Sequence, residues 1–391
     1  LTIFWDSLIH CKSGIGPITL FDVSNFPLKI GGQVRDFDLR RHIPNSKPQR
    51  LARQTQLALV ACRMALQHAG LDLESLRAKG LTTMVLGISS GGTDVISDGM
   101  EVVITRGPRH VRPFMVGACQ PHAIGAALVQ CLGIQAALTT VSEACPSGLD
   151  AVMTATRIIK EGRADLVIAG GADSPLNSAA FAGFAACGLP SMNSGFPPEE
   201  VSRPFDAKRS GVVLSEGAGF VVLERLDSAL ARGATPYMEI AGGAMVTDTP
   251  GTGKMDGLSL SMQTTMDNAG VYPKQIDYVC ANAFGSKQGD IAEVEWIKKC
   301  LGDRALRIPV SSIRGVLGHA LSAAGMSQVI ALAMMMQTRT VIPTANLHYP
   351  DPQCDLDHVP LQSRPANIQF ALANSHGIGG ENGTLVVKSL V

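Results

Sequence analysis

The chain has 391 residues, of which 46% are hydrophobic and 17% charged, with 33 Lys+Arg against 33 Asp+Glu. That length suggests two domains or two tightly packed halves, and the balanced charge removes any global field that would draw nucleic acid or anionic lipid. Low charge and 41 glycines suit closely packed helices and sheets with a large buried subunit interface, while a local basic patch for an acidic partner stays compatible with the balance.

The nine cysteines are odd in number and scattered, without a C-x-x-C pair. This argues against a disulfide framework and a zinc site, and for a reducing cytoplasm. No apolar run is long enough to span a membrane. The opening "LTIFWDSLIHCKSGIGPITLFD" lacks the basic-then-apolar profile of a signal peptide. It begins as though inside an element, so a strand is expected to precede it.

In chain order, "LARQTQLALVACRMALQHAG" (51–70) has apolar residues at helical spacing and ends in Gly, so it reads as a helix. "TTMVLGISSGG" (82–92) is a strand running into a glycine turn, and "ALTTVSEAC" (137–145) a second strand expected to be buried. A helix over 147–164 and a strand over 165–173 follow. "MNSGFPPEEVSRPFD" (192–206) reads as a long surface loop, and 211–234 as two strands and a short helix. The second half repeats the rhythm with helices at 258–270, 289–302 and 323–339, strands near 276–285 and 307–312, and a closing strand pair. Strands alternating with helices predict a mostly parallel sheet covered on both faces. Two similar halves, 1–235 and 236–391, are expected to meet near residue 235.

Cys145 stands in "EACPSG", where a strand gives way to a helix. Pro146 fits the first helical position. Unpaired N–H groups and the helix dipole there favour the thiolate, which is the nucleophile, and the same groups suit an oxyanion. The alternative is a buried structural cysteine. Three loops are expected to converge on the same crevice: "ANAFGSKQGD" (281–290), "SSIRGVLGHALSAAG" (311–325) and "NSHGIGGENG" (374–383). His319 lies at a helix start whose positive dipole end would keep an imidazole neutral. His376 stands before Gly377, Gly379 and Gly380, either as a hydrogen-bonded turn histidine or as a site residue. "GISSGG" and "GGAD" lack the context of a dinucleotide loop, and neither a metal nor a nucleotide cofactor is implied.

With these motifs in order, the sequence resembles the elongating β-ketoacyl-acyl-carrier-protein synthases of the thiolase superfamily. "EACPSG" resembles that family's nucleophile motif and "SRPFDAKRSGVVLSEGAG" (202–219) its central signature. The three loops are similar to N-A-H-G-T-x-T-x-x-G-D, K-S-x-x-G-H-x-x-G-A-A-G and N-S-F-G-F-G-G-T-N. The resemblance implies an α/β fold of five layers, α-β-α-β-α, and a homodimer or a heterodimer with a second ketosynthase. It also implies a carrier-protein partner and a reaction. Cysteine takes an acyl chain from acyl carrier protein, malonyl-carrier protein loses CO2 beside two histidines, and the resulting enolate attacks the acyl-enzyme. Cys145 then matches the nucleophile, His319 the second histidine, and Glu293 a structural acid. The N–H groups of Cys145 and Ile378 match the oxyanion hole, in the loop of Gly377, and Ile378 also matches the gate of the acyl pocket.

Three positions depart from the pattern: Phe284 replaces the first histidine, Arg314 the supporting lysine, and His376 a phenylalanine beside the nucleophile. Phenylalanine donates no hydrogen bond, and removing one enolate donor costs roughly 2.7–4 kcal/mol, about a hundred- to thousandfold in rate. Acyl transfer onto Cys145 needs only the sulfur and the backbone donors. The first hypothesis is therefore a weakly condensing, chain-length-factor-like subunit paired with an active synthase, of which aryl-polyene-type systems are one variant. The retained cysteine speaks against it, since chain-length factors usually lose theirs. The second is a self-sufficient condensing, acyl-transferring or decarboxylating enzyme using Cys145, His319 and His376, with His376 as base or replacement donor. A binding role outside lipid metabolism would need these residues to be relics.

Overall fold

A computed structural model describes residues 1–78, 80–191, 195–249 and 256–390. Apolar stripes and short β-rich runs separate into two sheets. The first joins β1 (Leu81–Gly87), β2 (Gln135–Val141), β3 (Leu166–Asp173) and β4 (Gly217–Glu224) in the order β2-β1-β3-β4. The second joins β5 (Met238–Thr247), β6 (Tyr278–Cys280), β7 (Val310–Ser311), β8 (Phe370–His376) and β9 (Glu381–Ser389) in the order β5-β9-β8-β6-β7.

Both sheets are mixed rather than mostly parallel. β1 runs parallel to β2 and β3, but β4 is antiparallel to β3. β8 is parallel to β6, whereas β9 is antiparallel to both β8 and β5. The short His376–Glu381 turn imposes the β8–β9 reversal, because a short link cannot make a parallel crossover.

Five helices frame the sheets. α1 (Arg53–His68) covers the outer face of the first sheet, and α3 (Gly257–Ala269), backed by α4 (Lys287–Leu301), that of the second. α2 (Ser147–Lys160) and α5 (Ser322–Thr338) lie between the sheets and touch both. The layers are therefore helix, sheet, helix, sheet, helix. Leu149, Val152, Met326, Leu332, Leu385 and Val387 form the central core between them, all 2% exposed or less. A middle-layer helix has no solvated face except at its ends, which explains why α5 is apolar almost all round.

The two central helices cross backbone to backbone. A Cβ on Gly148 would stand 2.1 Å from the Ser322 carbonyl oxygen, and one on Gly325 would stand 3.0 Å from the Leu149 nitrogen. Glycine at these places lets the N-terminal turns of α2 and α5 meet, one following Cys145 and the other following His319.

Three expectations are corrected. β2 is largely exposed, because it is the edge of its sheet and lacks a neighbour on one side. Residues 211–216 form isolated bridges to neighbouring loops instead of a strand. In the 192–206 stretch, residues 192–194 lie outside those described, while Val201–Asp206 is buried. Its charges are paired internally: Arg203 to Asp206 at 3.2 Å, and the following Arg209 to Asp351 at 2.7 Å.

Gly148→Ala is expected to destabilise the protein by about 1–3 kcal/mol in urea unfolding, since backbone cannot move aside. Gly183→Ala, in a helix with open space around it, is the control and should be neutral or stabilising by up to about 1 kcal/mol. Equal effects would contradict the close crossing.

Candidate active site

Cys145 sits on a strained turn. Ala144 before it has φ +50, a conformation costing about 1–3 kcal/mol for a residue with a Cβ. Ser147 holds the turn: its Oγ accepts from the Glu143 N–H at 2.8 Å and donates to the Ala144 carbonyl at 2.6 Å. Pro146 is the cap residue and Ser147 opens α2, so the proline stands one place earlier than the sequence pattern suggested.

The thiol is not primed as a thiolate. It is 6% exposed, and burial pushes its pKa up to about 12, with the Asp173 carboxylate adding to the rise and Arg314 opposing it. A helix N-terminus offers about 0.3–1 kcal/mol to an anion, whereas a rise of this size corresponds to about 4 kcal/mol. The first helical N–H is also already engaged, donating to Ala144 O at 3.2 Å. Desolvation wins.

His319 is brought to the sulfur by the loop between Arg314 and α5. Its N–H donates to Val213 O at 2.8 Å and its carbonyl accepts from Ser215 N–H at 3.0 Å, so the 202–219 signature clamps it by backbone. The imidazole Nε2 lies 3.2 Å from Cys145 Sγ. The ring is neutral: burial lowers its pKa well below the ordinary value, assisted by Arg314 and His376. Nδ1 is buried with no partner among the described residues.

His376 ends β8. Its ring packs against Phe284 at 5.3 Å and edge-on to Trp296 at 6.0 Å, and Phe284 in turn lies 5.5 Å from the His319 ring. Phe284 therefore packs against both imidazoles. Nε2 of His376 faces the Glu293 carboxylate at 4.0 Å and makes no hydrogen bond. No hydrogen bond joins it to Cys145 among the described residues, in contrast to the expected base or donor beside the sulfur. Burial, then Arg314, lowers its pKa to about 4. Glu293 itself accepts the N–H groups of Asn282 at 2.9 Å and Ala283 at 2.7 Å, fixing the loop that carries Phe284.

Arg314 is fully buried and bonded to neutral acceptors: Asn282 O at 3.3 Å, Asn282 Oδ1 at 3.1 Å, Ala324 O at 3.3 Å and Gln328 Oε1 at 3.4 Å. Its positive charge therefore acts on its surroundings rather than on one carboxylate. The backbone N–H groups of Cys145 and Ile378 have no acceptor among the described residues. Ile378 is 63% exposed, at the rim.

Cys145, His319, His376, Phe284 and Ile378 all line one narrow cleft, completed by Phe184, Leu189, Pro190, Val212 and Leu214. The structure thus unites the residues singled out in the sequence, with Arg314 and Glu293 behind the wall. The five apolar wall residues were not singled out; the run "GFAACGLP" carries no signal beyond its hydrophobicity. Asp173 was also missed, although an acid closing the strand "DLVIAGGAD" was legible. Among the described residues no cluster of three His, Cys, Asp or Glu could hold a metal. Nor is any helix among them long and apolar enough to cross a membrane.

Comparison with known proteins agrees with this architecture. Residues 1–229 match the beta-ketoacyl synthase N-terminal domain and residues 237–348 its C-terminal domain. The chain is 34% identical to 3-oxoacyl-[acyl-carrier-protein] synthase 2 of Synechocystis sp., over 98% of its own length and 93% of the relative. Among solved structures, the ishigamide ketosynthase/chain length factor superposes with a TM-score of 0.92 at 29% identity, over 100% of this chain and 95% of the other. A type II polyketide ketosynthase in complex with its acyl-carrier protein, AntDE:AntF, gives 0.86 at 28% identity, over 100% and 95%.

The buried imidazole generates an acid-stability prediction. His376 titrates at about 4 when folded and near 6.5 unfolded, so the unfolded chain binds more protons between these values. Stability is fully present above about pH 6.5 and is lost as pH falls through about 4. His376→Phe should reduce the loss of unfolding free energy between pH 7 and 4.5 by about 2–3 kcal/mol in urea titrations. An unchanged loss would contradict the burial of a neutral ring.

Proposed function

Because the chain belongs to the β-ketoacyl synthase family of acyltransferases, we propose that it accepts acyl groups from acyl-carrier-protein thioesters onto Cys145 during fatty-acid or polyketide chain elongation. The observation that carries this reading is the 3.2 Å contact between Cys145 Sγ and neutral His319 Nε2, beside two unoccupied backbone donors at the end of an apolar cleft. The thiol stays protonated until a thioester enters. Sulfur then attacks the carbonyl carbon while Nε2 takes the thiol proton, and the N–H groups of Cys145 and Ile378 receive the oxyanion. Collapse expels the carrier's thiolate, which takes the proton back from His319. The apolar wall holds the chain, and Ile378 is its gate.

The same geometry argues for weak condensation. Phe284 stands where the resemblance places an enolate donor, and its ring packs against both His319 and His376 without offering a hydrogen bond. A chain-length-factor-like partner of an active ketosynthase fits best, as a heterodimer, with an aryl-polyene-type system as one variant. The likeness to a ketosynthase/chain length factor structure supports this. The alternative, a self-sufficient condensing, acyl-transferring or decarboxylating enzyme, is favoured by one observation: His376 still lines the cleft. In this reading 1–235 carries the nucleophile, 236–391 carries the histidine loops, and the protein works in the cytoplasm.

A basic surface adds the carrier-protein partner. Arg35, Arg40, Arg41, Lys47 and Arg50 are all exposed, against Asp36 and Asp38. The segment leading into them is tied to the cleft wall, with Gly32 N–H donating to Leu214 O at 2.9 Å. This patch suits an acidic partner delivering a chain to the cleft mouth.

Incubation with acyl-carrier thioester should add one acyl mass, absent in Cys145→Ser. Malonyl-carrier protein should then give little 3-oxoacyl product or CO2 until a partner synthase is added. Phe284→His should raise product from the isolated protein at least tenfold, up to the hundred- to thousandfold expected of a restored donor. Full turnover by the isolated wild type, abolished in His376→Ala, would instead establish the alternative. Replacing Arg40, Arg41, Lys47 and Arg50 with Glu should slow acylation from the carrier protein at least tenfold while leaving a small acyl thioester unaffected. Equal slowing of both donors would contradict docking there.

A further inference from the structure

Asp173, the last residue of β3, is fully buried and not part of the cleft lining. Its carboxylate accepts five hydrogen bonds from two separate segments. Ser89 N–H donates at 3.1 Å, Ser90 N–H at 2.8 Å and Ser90 Oγ at 2.7 Å, all from the loop leaving β1. Ser322 donates through both its N–H, at 3.0 Å, and its hydroxyl. Ser322 opens α5 three residues after His319, directly after Leu321 at φ +50. The other segment reaches the nucleophile turn: Gly87 packs against the Ser147 backbone, where a Cβ would stand 2.0 Å from the Ser147 carbonyl oxygen. Ile88 O lies 3.4 Å from the Ser147 Oγ, whose proton goes chiefly to Ala144 O, and Ile88 N–H donates to Val141 O at 3.0 Å.

We propose that Asp173 is a positioning residue, which ties the start of α5 to the loop beside the Cys145 turn and thereby holds His319 Nε2 on the sulfur. Leu321 is the reason such a tie is needed. A left-handed non-glycine residue between His319 and the helix relaxes unless its neighbours hold it. A carboxylate with five donors is strong enough to do so, because its bonds are charge-assisted. Geometry also excludes direct chemistry, since all five donors are protein groups.

The sign of the electrostatic effect makes the inference testable. The Asp173 charge raises the thiol's pKa, so removing it favours thiolate, and loosening the buried site would do the same. Either effect alone makes Cys145 react faster. Lost positioning of His319 makes it react slower.

The inference rests on the acyl-transfer reading only for its functional meaning, so two probes are used on the full chain. The first-order rate of Cys145 modification is followed by intact mass with hexanoyl-N-acetylcysteamine and with iodoacetamide. Asp173→Asn should slow both by about tenfold or more, with the half-saturating thioester concentration unchanged. In a His319→Ala background the slowing should vanish, because the two residues act as one unit. Asp173→Glu should recover part of the rate. Ser322→Ala, which keeps the charge and four of the donors, should slow both probes about three- to tenfold with the same dependence on His319, and decides the matter if Asp173→Asn does not fold. Faster modification, or equal slowing without His319, would overturn the inference. A wild type that reacts with iodoacetamide but not with the thioester would sink the acyl-transfer reading, and the iodoacetamide rates would still test Asp173.

Discussion

The site exists because two helix N-termini meet at the centre of the molecule. Gly148 and Gly325 remove the side chains that would hold α2 and α5 apart, so that Gly148 lies against the Ser322 carbonyl and Gly325 against the Leu149 nitrogen. The helices come from opposite sides of residue 235, so neither half brings the cysteine and the histidine together alone. Strain at Ala144 and Leu321, one on each approach, is held by the packing around it. The same enclosure desolvates what it assembles. Sulfur and imidazole meet as neutral groups, and the low-dielectric cleft keeps them so.

Neutrality changes how the chemistry reads. A resting thiolate would need the helix dipole to outweigh desolvation, and the magnitudes favour desolvation several times over. A neutral pair instead keeps the sulfur a weak nucleophile at rest and, in the proposed reaction, couples its deprotonation to thioester attack. Arg314, bonded to neutral acceptors, spreads its charge over Cys145, His319 and His376 together. A lysine would present a compact ammonium there, while the guanidinium fork is occupied by the Asn282, Ala324 and Gln328 oxygens and lies behind the cleft wall. Phe284 and His376 stand in ring contact, and the His376 Nε2 faces Glu293 at 4.0 Å. In the proposed reading acyl transfer needs only the sulfur, His319 and the backbone donors, whereas enolate stabilisation lacks the donor that Phe284 replaces.

Much of this was legible in the residues. Helical spacing found α1 to α5 because apolar periodicity survives in long segments. The strand-Cys-Pro-Ser-Gly-helix turn and the three glycine loops pointed to one crevice, and they share it. What a sequence hides is neighbourhood. β2 has the apolar content of an inner strand, yet nothing in it reveals that a sheet ends there. Residues 201–206 look like surface because they carry Arg and Asp, which pair with each other, while Asp206 also accepts the N–H groups of His348 and Tyr349, 142 and 143 residues away. The Cys145 pKa was misjudged for the same reason: the dipole is local and readable, whereas burial is not. His376 was found as a residue but not as a direction, since one rotamer decides whether an imidazole faces sulfur or carboxylate.

The central claim is that Cys145 rests as a thiol beside a neutral His319. Ultraviolet thiolate absorbance, recorded as the difference between wild type and Cys145→Ser while pH is raised, tests it most directly. No step assignable to Cys145 should appear below about pH 9, the range in which an ordinary thiol ionises. A full thiolate step near neutrality, lost in His319→Ala, would contradict the account and restore a resting ion pair.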